Sequence, residues 1–181
     1  MSRLARPVLW LALLGALALG GWQWWRAHAP APVAAAPPDT TQAGMRALTL
    51  WFAAESGDSL VFEERESPEQ ADLHARVAQL VDALAAGPER GGVAVLPTGT
   101  RALHVYLDDR GMMTLDLSRA FQQGFHGGSR EEDLIIGSLM RTIASNLPEV
   151  KQVLVVCNGE PIGSLGGHVP LDLPIDPHDP F

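Results

Sequence analysis

Cysteine, lysine and tyrosine are nearly absent from this chain of 181 residues, which holds one of each: Cys157, Lys151 and Tyr106. A single cysteine cannot form a disulfide within the chain, so the fold must depend on its apolar core even in an oxidising compartment. We predict that Cys157 is a small buried residue at the end of a strand. No cysteine directly follows the N-terminal apolar run, so we expect no lipid attachment there.

Basic residues are also scarce. Three of the 13, Arg3, Arg6 and Arg26, flank the N-terminal apolar run, which leaves ten against 21 acidic residues in the rest of the chain. Phosphate groups would be repelled by such a surface, so nucleic acid and anionic lipid are poor partners, and we predict no binding of nucleic acid.

Paired metal ligands are missing. The six histidines are scattered, and none is spaced from another by four residues on a helix or by two on a strand. We therefore predict no metal site. We also predict no cofactor and no small-molecule substrate, because the sequence shows no convergent set of polar groups. His168 is expected to bind a nearby carbonyl group through a hydrogen bond.

A long apolar run is present at the N-terminus. Residues 7–25 contain one polar residue, Gln23, and this length is sufficient to cross a bilayer core of about 30 Å. Arginines precede the run and three tryptophans end it, a pattern that predicts a cytoplasmic N-terminus and an extracytoplasmic remainder. Residues 1–26 are thus predicted to be a transmembrane anchor, which makes the protein single-pass and membrane-anchored.

A cleaved signal peptide is the alternative for residues 1–26. Small residues at 27–29 and 34–36 suit cleavage, but Pro30 or Pro37 follows directly, and the length of the run and its tryptophans favour the anchor. Residues 27–44 are rich in alanine and proline and predict an extended spacer. What remains is one domain over residues 45–175 and a short C-terminal tail over residues 176–181.

The first half of the domain predicts a hairpin followed by a helix. Residues 48–53 and 60–65 have strand character and are joined by a turn at Gly57. Ser67 is predicted to cap the helix, with Pro68 at its first position and Gln70 completing a capping box. The apolar stripe of this helix consists of Leu73, Val77, Leu80, Val81 and Leu84.

The second half predicts a hairpin, a helix and a further hairpin. Residues 102–108 and 112–117 form the first of these hairpins, with Tyr106 on its solvated face. Ser129 with Glu132 is predicted to open the second helix as a capping box, and residues 152–157 form a central strand. The result is an α+β fold in ββαββαββ order, in which a mainly antiparallel sheet of hairpins carries two helices on one face.

Three motifs invite a functional interpretation. Gly57-Asp58-Ser59-Leu60 matches the nucleophile block of GDSL esterases, but it falls in a predicted hairpin turn, and Asp176 and His178 are spaced unlike that family's acid and base. Residues 127–129 could hold an anion at a helix N-terminus, although the acidic residues that follow would repel it. Asp116 and Ser118 are predicted to cap a turn.

Six sequence blocks stand out along the domain: residues 84–88, 96–100, 115–118, 127–129, 148–153 and 165–168. In their order and spacing they resemble the GerMN domain of sporulation and spore germination proteins. The resemblance covers roughly residues 48–175. It implies a small, non-catalytic module of a secreted or membrane-anchored bacterial protein, of the kind that helps to assemble envelope complexes. This chain has a single copy of the domain.

We predict a non-catalytic interaction or scaffold module, which recognises another envelope protein or a second copy of itself through a strand edge or a sheet face. Trp51 and Tyr106 are the candidate interaction residues, because aromatic side chains on a solvated face suit an interface, although Trp51 also suits the core. The alternative is a domain that binds cell-wall glycan or peptide in an aromatic groove.

Overall fold

The structure, a computed structural model, describes residues 44–180. The predicted anchor and nearly all of the predicted spacer lie outside the described residues. Within the described part, no helix has both the length and the apolarity that crossing a membrane requires.

A long hairpin and a helix open the described chain. Strands β1 (Met45–Ala53) and β2 (Leu60–Pro68) pair antiparallel, and helix α1 (Leu73–Ala86) follows. Gly57 has the positive φ, 70°, that the predicted tight turn needs. As predicted, α1 buries its apolar stripe and ends at Gly87, whose N–H binds the Leu84 carbonyl.

The remaining elements alternate strands and helices in the predicted order, with one short helix in addition. They are β3 (Ala102–Leu107), β4 (Met112–Leu117), α2 (Ala120–Gln123), α3 (Ser129–Asn146), β5 (Gln152–Cys157) and β6 (Glu160–Pro161). The α+β class and the ββαββαββ order are therefore confirmed. The last strand is only two residues long, and Asn158 and Gly159 form the predicted turn before it with φ values of 55° and 79°.

The strands divide into two sheets, which the sequence did not indicate. Strands β1 and β2 form one sheet, and a four-stranded sheet has the order β3-β4-β5-β6. Strands β4 and β5 run parallel, whereas the other pairs are antiparallel. The parallel pair follows from the connection, because a crossover through α3 returns the chain to the end at which β4 began.

The start of α1 also differs from the prediction. Ser67 and Pro68 belong to β2, and Asp72 caps the helix instead, with its carboxylate accepting the N–H of Ala75 at 2.8 Å. Pairing of β2 with the first residues of β1 extends the strand past the expected boundary. The side chain of Gln79 then holds the strand end, donating to the Ser67 hydroxyl and the Pro68 carbonyl.

One apolar core fills the space between the sheets and helices. It takes alternate residues of β1, β4 and β5, the stripe of α1 and one side of α3. Cys157 lies in this core, as predicted, and burial raises the pKa of its thiol. The largest fully buried side chains include Phe52, Phe121, Leu84, Met113, Leu115, Ile136 and Met140.

Helix α3 occupies the edge of β1 that does not face β2. The Asn146 side chain accepts the N–H of Thr49 at 3.0 Å and donates to its carbonyl at 2.7 Å. Thr142 accepts the N–H of Trp51 at 3.0 Å, and Ser138 donates to the Trp51 carbonyl at 2.5 Å. Three polar side chains of the helix thus replace a neighbouring strand.

The spacing of these three side chains explains why a helix can do this. Four residues of a helix advance by about 6 Å, and two residues of a strand advance by about 6.7 Å. Asn146 and Thr142, four positions apart on α3, therefore meet Thr49 and Trp51, which are two positions apart on β1, and Ser138 on the next turn bonds the carbonyl of the same Trp51. Further along, Ala53 exchanges two backbone hydrogen bonds with Val93, so this edge of β1 is closed to other strands.

Candidate functional site

The esterase-like block lies in the β1–β2 turn, where the sequence places it. The Ser56 and Ser59 hydroxyls both donate to the Asp58 carboxylate, and these bonds hold the pKa of Asp58 below its ordinary value. The Asp176 carboxylate accepts the backbone N–H of His178 within the tail. These groups stabilise two local turns, and no hydrogen bond of the described residues joins Ser59 to an imidazole.

Asp116 and Ser118 fasten neighbouring segments to the end of β4. The Asp116 carboxylate accepts from the ring Nδ1 of His104 at 3.0 Å and from the N–H of Gly159 at 2.9 Å. The Ser118 hydroxyl accepts the N–H of Arg101 and donates to the Gly99 carbonyl. These contacts agree with the predicted capping role. Across residues 44–180, no cluster of three potential metal ligands occurs.

The predicted capping box at the start of α3 is wrong. Ser129 is the first residue of the helix, Gly128 occupies the cap position, and no side chain caps the first turn. Glu132 does not reach back to the cap, because its carboxylate is buried and binds a different segment.

Glu132 fastens the loop that follows β6. Its two carboxylate oxygens accept the backbone N–H groups of Leu165 at 2.8 Å and His168 at 3.0 Å. Burial is the largest influence on the pKa of Glu132 and would raise it, but the N–H groups of this loop together lower it below the ordinary value. The Leu-Gly-Gly-His block is thus held through its backbone. The ring of His168 is exposed, and no hydrogen bond among the described residues engages it, in contrast to the predicted bond to a carbonyl group.

Glu63 fastens a second loop in the same way. It lies on the inner face of β2, is buried, and accepts the N–H groups of Glu89 and Arg90 at 3.1–3.2 Å. The Arg65 guanidinium bonds the same carboxylate and the Gly87 carbonyl. Burial would raise the pKa of Glu63, but these donors lower it. The segment after α1 is therefore held beneath the hairpin.

The outer edge of β2 is open. Thr49 and Trp51 direct their N–H groups to α3, so their register partners Glu64 and Phe62 direct their own backbone groups away from β1. None of the hydrogen bonds among residues 44–180 engages the backbone of these two residues on that side. The same alternation places the ring nitrogen of Pro68 on this side, where no ladder hydrogen bond is lost.

A groove of about 810 Å³ runs beside this open edge. Strand β2 forms one wall, and the segment held by Glu63 forms the other. Val61 and Phe62 expose 40% and 60% of their surface here, although large apolar side chains are usually buried. The lining residues are Ala54, Glu55, Val61, Phe62, Glu63, Glu64, Arg90, Gly91 and Gly92.

The family of the chain follows from a comparison of its sequence with family models. The model described as sporulation and spore germination (Germane) matches residues 49–163, which is more than half of the chain. The chain belongs to this family. A comparison with curated proteins finds no match.

Solved GerMN structures share the fold. The first GerMN domain of the sporulation protein GerM from Bacillus subtilis has a TM-score of 0.61 at 21% identity, covering 74% of this chain and 99% of that chain. A candidate lipoprotein from Clostridium perfringens gives 0.52 at 21% identity, with coverages of 75% and 90%. The tandem GerMN domains of GerM give 0.50 at 21% identity, covering 71% of this chain and 43% of that chain.

The two candidate interaction residues lie on different sheets of this GerMN domain. Trp51 is half-buried on the outer face of the hairpin, where its indole N–H donates to the Ser145 hydroxyl and the Arg141 guanidinium lies 5.3 Å from the ring. The ring of Phe62 lies 5.3 Å away. Tyr106 exposes 67% of its surface on β3, an edge strand of the four-stranded sheet. The structure does not unite Trp51 and Tyr106 in one site.

Sequence reasoning missed the residues around the groove of the GerMN domain. Phe62 is the cross-strand neighbour of Trp51, and this pairing could have been read from the hairpin once its turn was placed at Gly57. Gly91 and Gly92 gave a weaker signal, because two adjacent glycines after a helix also suit an ordinary loop.

A substitution at Gly92 tests how tightly the wall of the GerMN groove packs against β1. Its φ is 101°, and a Cβ added there would lie 2.7 Å from the Ala53 carbonyl oxygen. We expect Gly92→Ala to lower the free energy of unfolding by about 2 kcal/mol in urea denaturation. The control is Gly91→Ala, since a Cβ at Gly91 meets nothing within 4 Å. Equal stability of the two variants would contradict this account.

Proposed function

We propose that this chain is a non-catalytic, extracytoplasmic interaction module of a membrane-anchored envelope protein, and that its partner protein adds a strand to the open edge of β2. The observation that carries the proposal is the asymmetry of the hairpin. The edge of β1 is closed by α3 and Val93, whereas the edge of β2 is open and faces a groove.

The surroundings of the edge support binding rather than simple exposure. Edge strands risk aggregation, and proteins limit that risk by shortening, charging or covering them. Strand β2 is nine residues long and charged, yet it keeps Val61 and Phe62 exposed at the groove. An added strand would satisfy the outward backbone groups of Phe62 and Glu64 and bury both apolar side chains.

Site-specific photocrosslinking tests the proposed function. We expect p-benzoylphenylalanine at Phe62 to crosslink the full-length protein in envelope fractions to one specific partner. The same probe at Leu173, which is also 60% exposed but does not line the groove, is the control. Glu64→Pro should reduce the crosslink from Phe62 at least tenfold, because it removes an outward N–H group that the added strand needs.

Gly91→Trp is a second way to block the groove, since Gly91 faces open space. It should leave the circular dichroism spectrum unchanged and reduce the same crosslink. If both blocking variants fold and crosslink as well as the wild type, the proposed function is wrong.

Binding of a cell-wall glycan or peptide is the second candidate function. The Trp51–Phe62 pair favours it, because aromatic side chains commonly line ligand sites. Arg141 already lies over the Trp51 ring, which limits the area left for a sugar. Titration with solubilised peptidoglycan fragments separates the candidates. Saturable shifts of the Trp51 indole signal would support this function, and unchanged amide signals would exclude it.

A further inference from the structure

Three successive side chains on the outward face of β2, one apolar and two acidic, are exposed. Phe62, Glu64 and Glu66 lie on the same face because strand side chains alternate. All three are exposed, and no ion pair among residues 44–180 involves either glutamate. Their cross-strand neighbours on β1 are Trp51, Thr49 and Ala47, which bring no positive charge. The two carboxylates are therefore available to charges on an added strand.

The inward face of the same edge has a different character. Val61 is 40% exposed there, whereas Glu63 is buried and already bonded. Gly91 and Gly92 line the opposite wall without side chains, so a strand can approach closely. Arg90 also lines this wall and would repel a basic residue. We therefore expect the added strand to carry small or apolar side chains on its inward face.

We infer that the occupant of the groove is an extended segment of a partner protein with an apolar residue and two lysines or arginines at alternate positions, on the face that meets Phe62, Glu64 and Glu66. This inference rests on the proposed function and specifies the chemistry of the partner. Opposite charges directly across two strands stabilise their pairing, whereas like charges oppose it.

A second copy of the chain is a poorer occupant. Glu64 and Glu66 of β2 make no ion pair among the described residues, so pairing two copies edge to edge would gather four uncompensated carboxylates at one interface. The described domain is also acidic overall, which favours a basic partner through long-range attraction.

Synthetic peptides test the inference with the full-length protein. The probes are acetyl-Thr-Ile-Thr-Lys-Thr-Lys-Thr-amide and the peptide with the reversed order, which allows for either strand direction. Each has a matched control with glutamate in place of both lysines. We expect one lysine peptide to bind at least tenfold more tightly than its glutamate control, and its affinity to fall with added salt.

Charge reversal supplies the decisive comparison. The double variant Glu64→Lys with Glu66→Lys should reverse the preference, so that the glutamate peptide becomes the tighter ligand. The control double variant is Glu160→Lys with Asp172→Lys, which changes the net charge equally at exposed positions that do not line the groove. It should keep the preference for lysine.

The two proposals fail in different ways. If neither lysine peptide binds, if both charge types bind equally, or if the control variant reverses the preference as well, the inferred partner chemistry is overturned. The proposed function survives those results as long as Glu64→Pro and Gly91→Trp still abolish the crosslink from Phe62.

Discussion

Replacing Asn146 with aspartate is expected to lower the free energy of unfolding by about 3 kcal/mol. The Asn146 amide accepts from Thr49 N–H and donates to the carbonyls of Thr49 and Thr142. Aspartate has nearly the same shape but cannot donate either bond while it is charged, and its charge would be buried beside two carbonyl oxygens. The edge of β1 would lose its main anchor to α3.

Urea denaturation followed by circular dichroism measures this loss, and the midpoint of thermal unfolding should fall by about 10 °C. Ser145→Ala is the matched control, because Ser145 is the exposed neighbour of Asn146 and bonds only the indole of Trp51. It should cost less than about 0.5 kcal/mol. If Asn146→Asp is no less stable than Ser145→Ala, the side chains of α3 do not hold the edge of β1.

Periodicity made the elements of this fold predictable. The stripe of α1 and the alternation of β3 follow from which side chains must be buried, and burial repeats with the period of the element. The turns at Gly57 and at Asn158 and Gly159 were equally predictable, because few residue types adopt the positive φ that these turns require.

The ends of the strands and helices and the division into two sheets were harder to predict from the sequence, because they depend on pairing partners that are distant in the sequence. Both Ser67 and Asp72 suit a helix cap, and pairing of β2 with β1 decides between them. The polar residues Ser138, Thr142 and Asn146 resemble an ordinary solvated side of a helix. Their partners lie 87 to 97 positions away on β1.

The candidate site was harder still to predict. An open edge is defined by what does not pair with it, and sequence patterns report strands rather than their free sides. Trp51 and Tyr106 are candidates from the sequence because aromatic side chains on a solvated face suit an interface. The groove instead depends on Glu63, which is buried although glutamate is ordinarily an exposed residue.

Replacing Glu132 with glutamine is expected to lower the free energy of unfolding by about 2–3 kcal/mol at neutral pH. Glu132 is fully buried, and both of its oxygens accept N–H groups of the loop at Leu165 and His168. Glutamine keeps the volume, but its NH₂ group would face a donor instead of accepting from it. The loop is too tightly packed to shift away from this NH₂ group, since even a Cβ at Gly166 would lie 2.9 Å from the ring of Phe125.

The pH dependence separates this effect from a simple loss of packing. The pKa of Glu132 is lowered in the folded protein, so its contribution is fully present above the ordinary carboxyl value of about 4.3 and is lost as pH falls through the folded value. The difference in stability between wild type and Glu132→Gln should therefore be largest at neutral pH and shrink below about pH 4. Urea denaturation at several pH values measures it.

The neighbouring glutamate supplies the control for this prediction. Glu131 lies in the same turn of α3 but is exposed, so Glu131→Gln removes the same charge from the helix start without touching the loop. Its effect should stay below about 0.5 kcal/mol. Faster amide exchange at Leu165 and His168 in Glu132→Gln alone would place the defect in the loop. If the two variants lose equal stability at every pH, the helix dipole rather than the buried carboxylate explains the effect.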